Sequence, residues 1–90
     1  MSLTLLDFTG EWCVGCRELE PILHELGRKY GVEVVMVDVE ENPMLANRFG
    51  VRSLPTLILL RDGVPIGSLV GAWPRERVEE WLREGVITQK

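Results

Sequence analysis

The sequence predicts an α/β fold, a mixed four-stranded sheet with helices on both faces in the order β-α-β-α-β-β-α. Three observations carry this. Short apolar runs alternate with segments of helical period, and strand-helix-strand units demand right-handed crossovers and parallel pairing. Asp62-Gly63 separates two strand-like runs as a hairpin signal, which adds antiparallel strands to the same sheet. No linker, repeat or composition break divides the 90 residues, so 1–90 reads as a single domain.

The elements follow in order. Leu3 to Phe8 is short and mostly apolar, as a buried strand is. Thr9 to Trp12 is a loop. From Cys13, apolar side chains recur at Cys16, Leu19, Leu23, Leu26 and Tyr30, the three-and-four spacing of a helix, and Gly31 ends it. Pro21 falls inside this helix and should kink it near residues 17–21. Val32 to Val39 is rich in β-branched residues and reads as the second strand. Asn42-Pro43 is a helix start, with Asn42 as cap, and Gly50 stops that helix after Phe49. Thr56 to Arg61 is the third strand. Val64 to Val70 is the fourth, and Pro65 argues for a sheet edge. Pro74 opens the last helix, with Val78, Trp81 and Leu82 on one face and Gly85 as its stop. Trp73 and Trp81 read as core or staple residues of this helix. Its charged run offers Arg75–Glu79 and Glu79–Arg83 pairs at i,i+4.

Composition narrows the function classes. The chain is 46% hydrophobic and 27% charged, which is globular rather than disordered. A net charge of −4 disfavours nucleic acid or an anionic membrane as partner. No apolar run approaches the ~18 residues of a membrane span. Met1-Ser2-Leu3 lacks the basic start of a signal peptide. The expectation is a cytoplasmic protein, where cysteines stay reduced unless they are catalytic.

Cys13 and Cys16 are the only cysteines. They close too short a loop to stabilise a fold, so they are there for chemistry. Cys13 falls at the start of the first helix. The partial positive charge there favours a thiolate and lowers the thiol pKa from about 8.5 towards roughly 7 or below. Cys16 is one turn in, on the buried stripe. Cys13 would therefore attack a substrate disulfide, and Cys16 would resolve the mixed disulfide. The other readings are a zinc half-site and two inert thiols. Zinc wants four ligands, and beyond the cysteines the chain offers His24 but no second C-x-x-C, so metal is the weakest reading. His24 itself reads as a surface residue. Asp7 lies in the apolar run Leu5-Leu6-Asp7-Phe8. A carboxyl buried there would have a raised pKa and could trade protons near neutral pH; the alternative is a strand-end aspartate facing solvent.

Trp12-Cys13-Val14-Gly15-Cys16 resembles the active-site motif of the thioredoxin family. The likeness runs along nearly the whole chain. Asp7-Phe8 stands six residues before Cys13, Pro21 falls where the family kinks its active-site helix, and Arg52-Ser53-Leu54-Pro55-Thr56 is similar to its cis-proline segment. Asp62-Gly63 and Val70-Gly71-Ala72 match its hairpin turn and glycine loop. The resemblance implies a thioredoxin-like fold and a thiol–disulfide oxidoreductase that reduces or exchanges protein disulfides. It implies a cis bond before Pro55, where the residues alone would favour an ordinary trans proline starting a strand; the cis bond would expose the Leu54 backbone beside Cys13 for an extended substrate and keep metals from the cysteines. It gives Asp7 the role of general base for Cys16, through water. Trp12, Val14, Gly15, Leu54, Pro55, Val70, Gly71 and Ala72 would form a weakly polar docking rim, with Trp12 over the disulfide; a packing role is the alternative for Trp12. Substrates would be disulfide-containing proteins, recycled through a thioredoxin-reductase-type partner. No organic cofactor or metal is implied beyond the redox-active Cys13–Cys16 pair.

Three departures matter. The chain opens on the Asp7 strand, without the family's leading strand and helix, so one sheet edge is open unless a dimer or the N-terminus covers it. Val14-Gly15 replaces the family's Gly-Pro and leaves the direction of electron flow open. Met36 stands where the family often has a lysine near the buried aspartate, so desolvation should raise Asp7 further. Thr9-Gly10, Cys13-Val14 and Arg17 also resemble the electron-relay domain of membrane thiol:disulfide interchange proteins. A glutaredoxin reading fits less well, and a non-catalytic binding module would need neither cysteine.

Overall fold

The structure is a computed structural model and describes residues 2–88. Its elements are β1 (Leu3–Thr9), α1 (Val14–Tyr30), β2 (Glu33–Asp38), α2 (Pro43–Arg48), β3 (Thr56–Arg61), β4 (Val64–Val70) and α3 (Arg75–Thr88). The order is the expected one. The sheet runs β2-β1-β3-β4, with β1 parallel to β2 and both other pairs antiparallel.

Alternation along β1 builds two cores. Leu5 joins Leu57 and Leu59 of β3 beneath Leu19, Leu23 and Leu26 of α1 and Val78 and Leu82 of α3. Leu6 and Phe8 point the other way, to Val37, Ile58 and Ala46 of α2. The Phe8 and Phe49 rings meet there at 5.7 Å between centroids. Two helices cover the first face and one six-residue helix the second.

The hairpin forms as its sequence dictates. Asp62 (φ 49°) and Gly63 (φ 83°) are both left-handed, as a type I′ turn requires. Asp62 also pins the chain's start: it accepts from the Ser2 amide at 2.7 Å and donates its own N–H to the Ser2 carbonyl at 2.8 Å. Pro65 lies on an edge strand, next to a bulge where Leu59 pairs with Gly67 and Leu60 with Pro65.

Several expectations need correction. Gly85 does not stop α3, which runs to Thr88. A Cβ at Gly85 would lie 2.6 Å from Leu59 Cδ2, so the glycine is there for close packing on β3. Arg75 and Glu79 do not pair with each other along α3. Arg75 reaches Glu25 of α1, and Glu79 accepts from Lys29 Nζ at 2.6 Å and from the Tyr30 hydroxyl at 2.7 Å. Those contacts, the lysine first, hold the Glu79 carboxyl at about 2. Packing of two helices side by side offers partners that spacing along one helix does not reveal. Asn42 stands at the N-cap of α2 without capping it; its amide donates back to the Asp38 carbonyl at 3.1 Å. Trp81 is half-buried beside Gly67, whereas Trp73 is not in the core at all.

Candidate redox site

Cys13 closes the loop after β1 and caps α1. Its N–H donates to the Gly10 carbonyl at 3.1 Å, and its extended backbone (φ −94°, ψ 102°) is that of an N-cap residue. Its sulfur does the capping: the Cys16 N–H donates to Cys13 Sγ at 3.1 Å. Cys13 and Cys16 are joined as a disulfide, with Cα atoms 5.2 Å apart. Cys13 is half-buried, while Cys16 is 1% exposed. The helix spacing that put Cys16 on the apolar stripe accounts for this difference.

Asp7 is completely buried and does not face solvent. It shares a face of β1 with Leu5, on the α1 side, and its strand neighbours are Met36 on β2 and Leu57 on β3. No cation stands beside it in the register. Neither carboxylate oxygen has a hydrogen-bond partner among the described residues. Burial therefore pushes the carboxyl from its ordinary 3.8 up to about 6, and the charge of Glu20 on α1 adds to the rise.

The rim comes from three loops. The Leu54–Pro55 bond is cis. The Gly71 N–H donates to the Pro55 carbonyl at 2.9 Å, which joins the glycine loop to the proline segment. Gly71 has φ 108°, a value that excludes most side chains. A Cβ at Gly15 would lie 2.8 Å from Ala72 Cβ, so helix and loop touch there. Trp12, Cys13 and Leu54 line a hollow of about 380 Å³ with Gly10 and Val39. Trp12 is 84% exposed, so it is no packing residue of the core; Val14 and Val70 are exposed as well. Larger hollows lie along α2, and neither cysteine lines them. His24 is on the outer side of α1, 3.9 Å from Glu20. Among the described residues no cluster of His, Cys, Asp or Glu is arranged to hold a metal ion, and no helix is long and apolar enough to cross a membrane.

Sequence reasoning missed two residues. Glu20 acts on Asp7 across the α1–sheet gap; its place one turn after Cys16 was the available signal. Trp73 reads from the sequence as a core or staple residue, but it is exposed and donates its indole N–H to the Val70 carbonyl at 2.7 Å. Its position directly before the helix-opening Pro74 was the signal that it belongs to the loop.

Known proteins agree with this geometry. The sequence model of the thioredoxin family matches residues 1–84. Thioredoxin from Staphylococcus haemolyticus is 41% identical over 83 residues, which is 90% of this chain and 80% of that protein. A thioredoxin from Halobacterium salinarum superimposes with a TM-score of 0.87 at 33% identity, over 94% of this chain and 75% of its own. The germline-specific thioredoxin Deadhead from Drosophila melanogaster gives 0.85 at 33% identity, over 92% and 80%. A four-stranded α/β fold with a disulfide at a helix start, in this company, defines a thiol–disulfide oxidoreductase. The chain belongs to the thioredoxin family. That membership does not favour the electron-relay and binding-module readings.

Proposed function

We propose that the chain is a protein-disulfide reductase of the thioredoxin type. The observation that carries this is the asymmetry of the pair: an accessible Cys13 capping α1 and a buried Cys16 behind it. In the reduced protein the Cys13 thiolate accepts from the Cys16 N–H and sits in the positive end of the α1 dipole. It attacks a substrate disulfide, forming a mixed disulfide and releasing one substrate thiolate. Cys16 then loses its proton to Asp7, through water, and attacks Cys13 Sγ. The second substrate thiol leaves, and the Cys13–Cys16 disulfide remains. A carboxyl at about 6 suits this task, since it both accepts and returns a proton near neutral pH.

Trp12, Val14, Gly15, Leu54, Pro55, Val70, Gly71 and Ala72 form the docking rim in this reading. Substrates are disulfide-containing proteins, and a thioredoxin-reductase-type partner restores the dithiol. The protein carries electrons in cytoplasmic redox homeostasis, as a monomer or weak dimer, without metal or organic cofactor.

Dithiothreitol-driven reduction of insulin tests the reading, with Cys13→Ser as control. Wild-type turnover no better than that of Cys13→Ser would sink it. Equilibration with glutathione gives the direction: a potential near about −270 mV belongs to a reductase, and one near about −120 mV to a strong oxidant. Asp7→Asn should slow release of the second substrate thiol by about 100-fold while sparing the first attack. Equal slowing of both steps in stopped-flow traces would remove Asp7 from the resolving step.

A further inference from the structure

Trp73 is a large exposed aromatic that the proposed reaction leaves without a role. It stands in the loop between β4 and α3, and two contacts hold its ring. The indole N–H donates to the Val70 carbonyl at 2.7 Å, and the Arg77 guanidinium carbon lies 5.9 Å from the ring centroid. Val70 pairs with Thr56, while the Gly71 N–H goes to the Pro55 carbonyl. Strand alternation therefore turns the Val70 carbonyl towards the open edge of the sheet, where the indole covers it.

The held ring forms one wall of a groove of about 250 Å³. Gly15, Leu19 and Ile22 of α1 face it, with Ala72 and Pro74 between. Apart from Glu18 and Arg75 the lining is apolar. Arg75, paired with Glu25, borders the groove, and the exposed Glu18 lies at its rim. Gly15 sits between the two cysteines, so the groove begins next to the redox pair, although neither cysteine lines it.

We propose that Trp73 is a specificity-determining residue: this groove takes a bulky apolar side chain of a polypeptide substrate, next to the half-cystine that Cys13 attacks. The inference rests on the protein-disulfide reductase reading above. Gly15 and Ala72, which the groove shares with the docking rim, identify the occupant. A polypeptide whose disulfide lies on Cys13 has to run past one of the sides of Gly15, and on the Trp73 side it meets apolar walls of side-chain size. An acidic side chain would meet Glu18 instead.

The test uses two synthetic peptides, each with one internal disulfide, that differ only in leucine or serine beside the half-cystines. The reduced protein gives two electrons and two protons to the peptide disulfide, yielding two peptide thiols and the Cys13–Cys16 disulfide. Dithiothreitol restores the dithiol and is itself oxidised to its cyclic disulfide. The wild type should favour the leucine peptide about tenfold in kcat/KM, mainly through KM. Trp73→Ala, and Ile22→Ala on the opposite wall, should cut that ratio below about twofold. Trp73→Phe keeps a ring and should retain most of it. A merely structural defect would slow both peptides alike and leave the ratio intact. Full preference in both alanine variants, or equal wild-type rates on the two peptides, overturns the groove while leaving the reductase reading standing. A wild type inert towards both peptides and insulin defeats the reductase reading and this inference with it.

Discussion

Asp7 makes the stability of this protein depend on pH, and the sign can be worked out. Its carboxyl sits at about 6 in the fold, against 3.8 when unperturbed. Between those values the native chain holds more protons than the unfolded chain, so stability falls as pH rises from about 4 to about 6. Above that window the loss levels off at about 3 kcal/mol, at about 1.36 kcal/mol per pKa unit. Asp7→Asn should therefore stabilise the oxidised protein by about 1–2 kcal/mol at pH 8, because the amide is still buried without a partner, and give no gain at pH 4. Urea unfolding at both values measures this; a gain independent of pH would refute burial of the charge as its source. Asp7 was legible in the sequence because a lone carboxyl in an apolar run has few places to go. Trp73 was not, because its partner is a carbonyl whose outward direction depends on how β4 pairs with β3.

At the level of elements, the strands and helices were legible where period and turn chemistry agree, as at Asp62-Gly63 and at Cys16, Leu19 and Leu23. Ends set by tertiary contact were not. Gly85 looked like a helix stop, yet it lies within α3 against Leu59. Gly85→Ala then sets two effects against each other. Helix propensity gains about 1 kcal/mol. A Cβ 2.6 Å from Leu59 Cδ2 forces a buried, 1% exposed leucine to move, at about 1–3 kcal/mol. The crowding should win, with a net loss of about 1 kcal/mol by denaturant unfolding. A variant more stable than wild type would mean that α3 shifts freely on the sheet. The same tertiary logic redirected Arg75 and Glu79 from their own helix to α1.

Over the whole molecule, the two faces of the sheet are unequally covered. The α1/α3 face is sealed by two long helices joined through Arg75–Glu25 and the Lys29–Glu79–Tyr30 cluster. The other face relies on α2, which buries only Ala46 fully, and on the partly buried Phe49 and Leu54. Native-state hydrogen exchange should follow this division. Amides of Leu23 and Leu26 should open only with global unfolding, and those of α2 should exchange well before them. Uniform protection across both faces would contradict it. The redox pair belongs to the well-sealed face, since α1 carries it.

One small contact at the head of that helix has a spectroscopic consequence. The Cys16 amide points at Cys13 sulfur. When the disulfide is reduced and the thiol ionises, the acceptor for that proton changes from a neutral, bonded sulfur to a full anion, and hydrogen bonds to charged acceptors are the stronger ones. The Cys16 amide proton is thus a native reporter, and its NMR shift followed against pH in the reduced protein reads the Cys13 titration without any label.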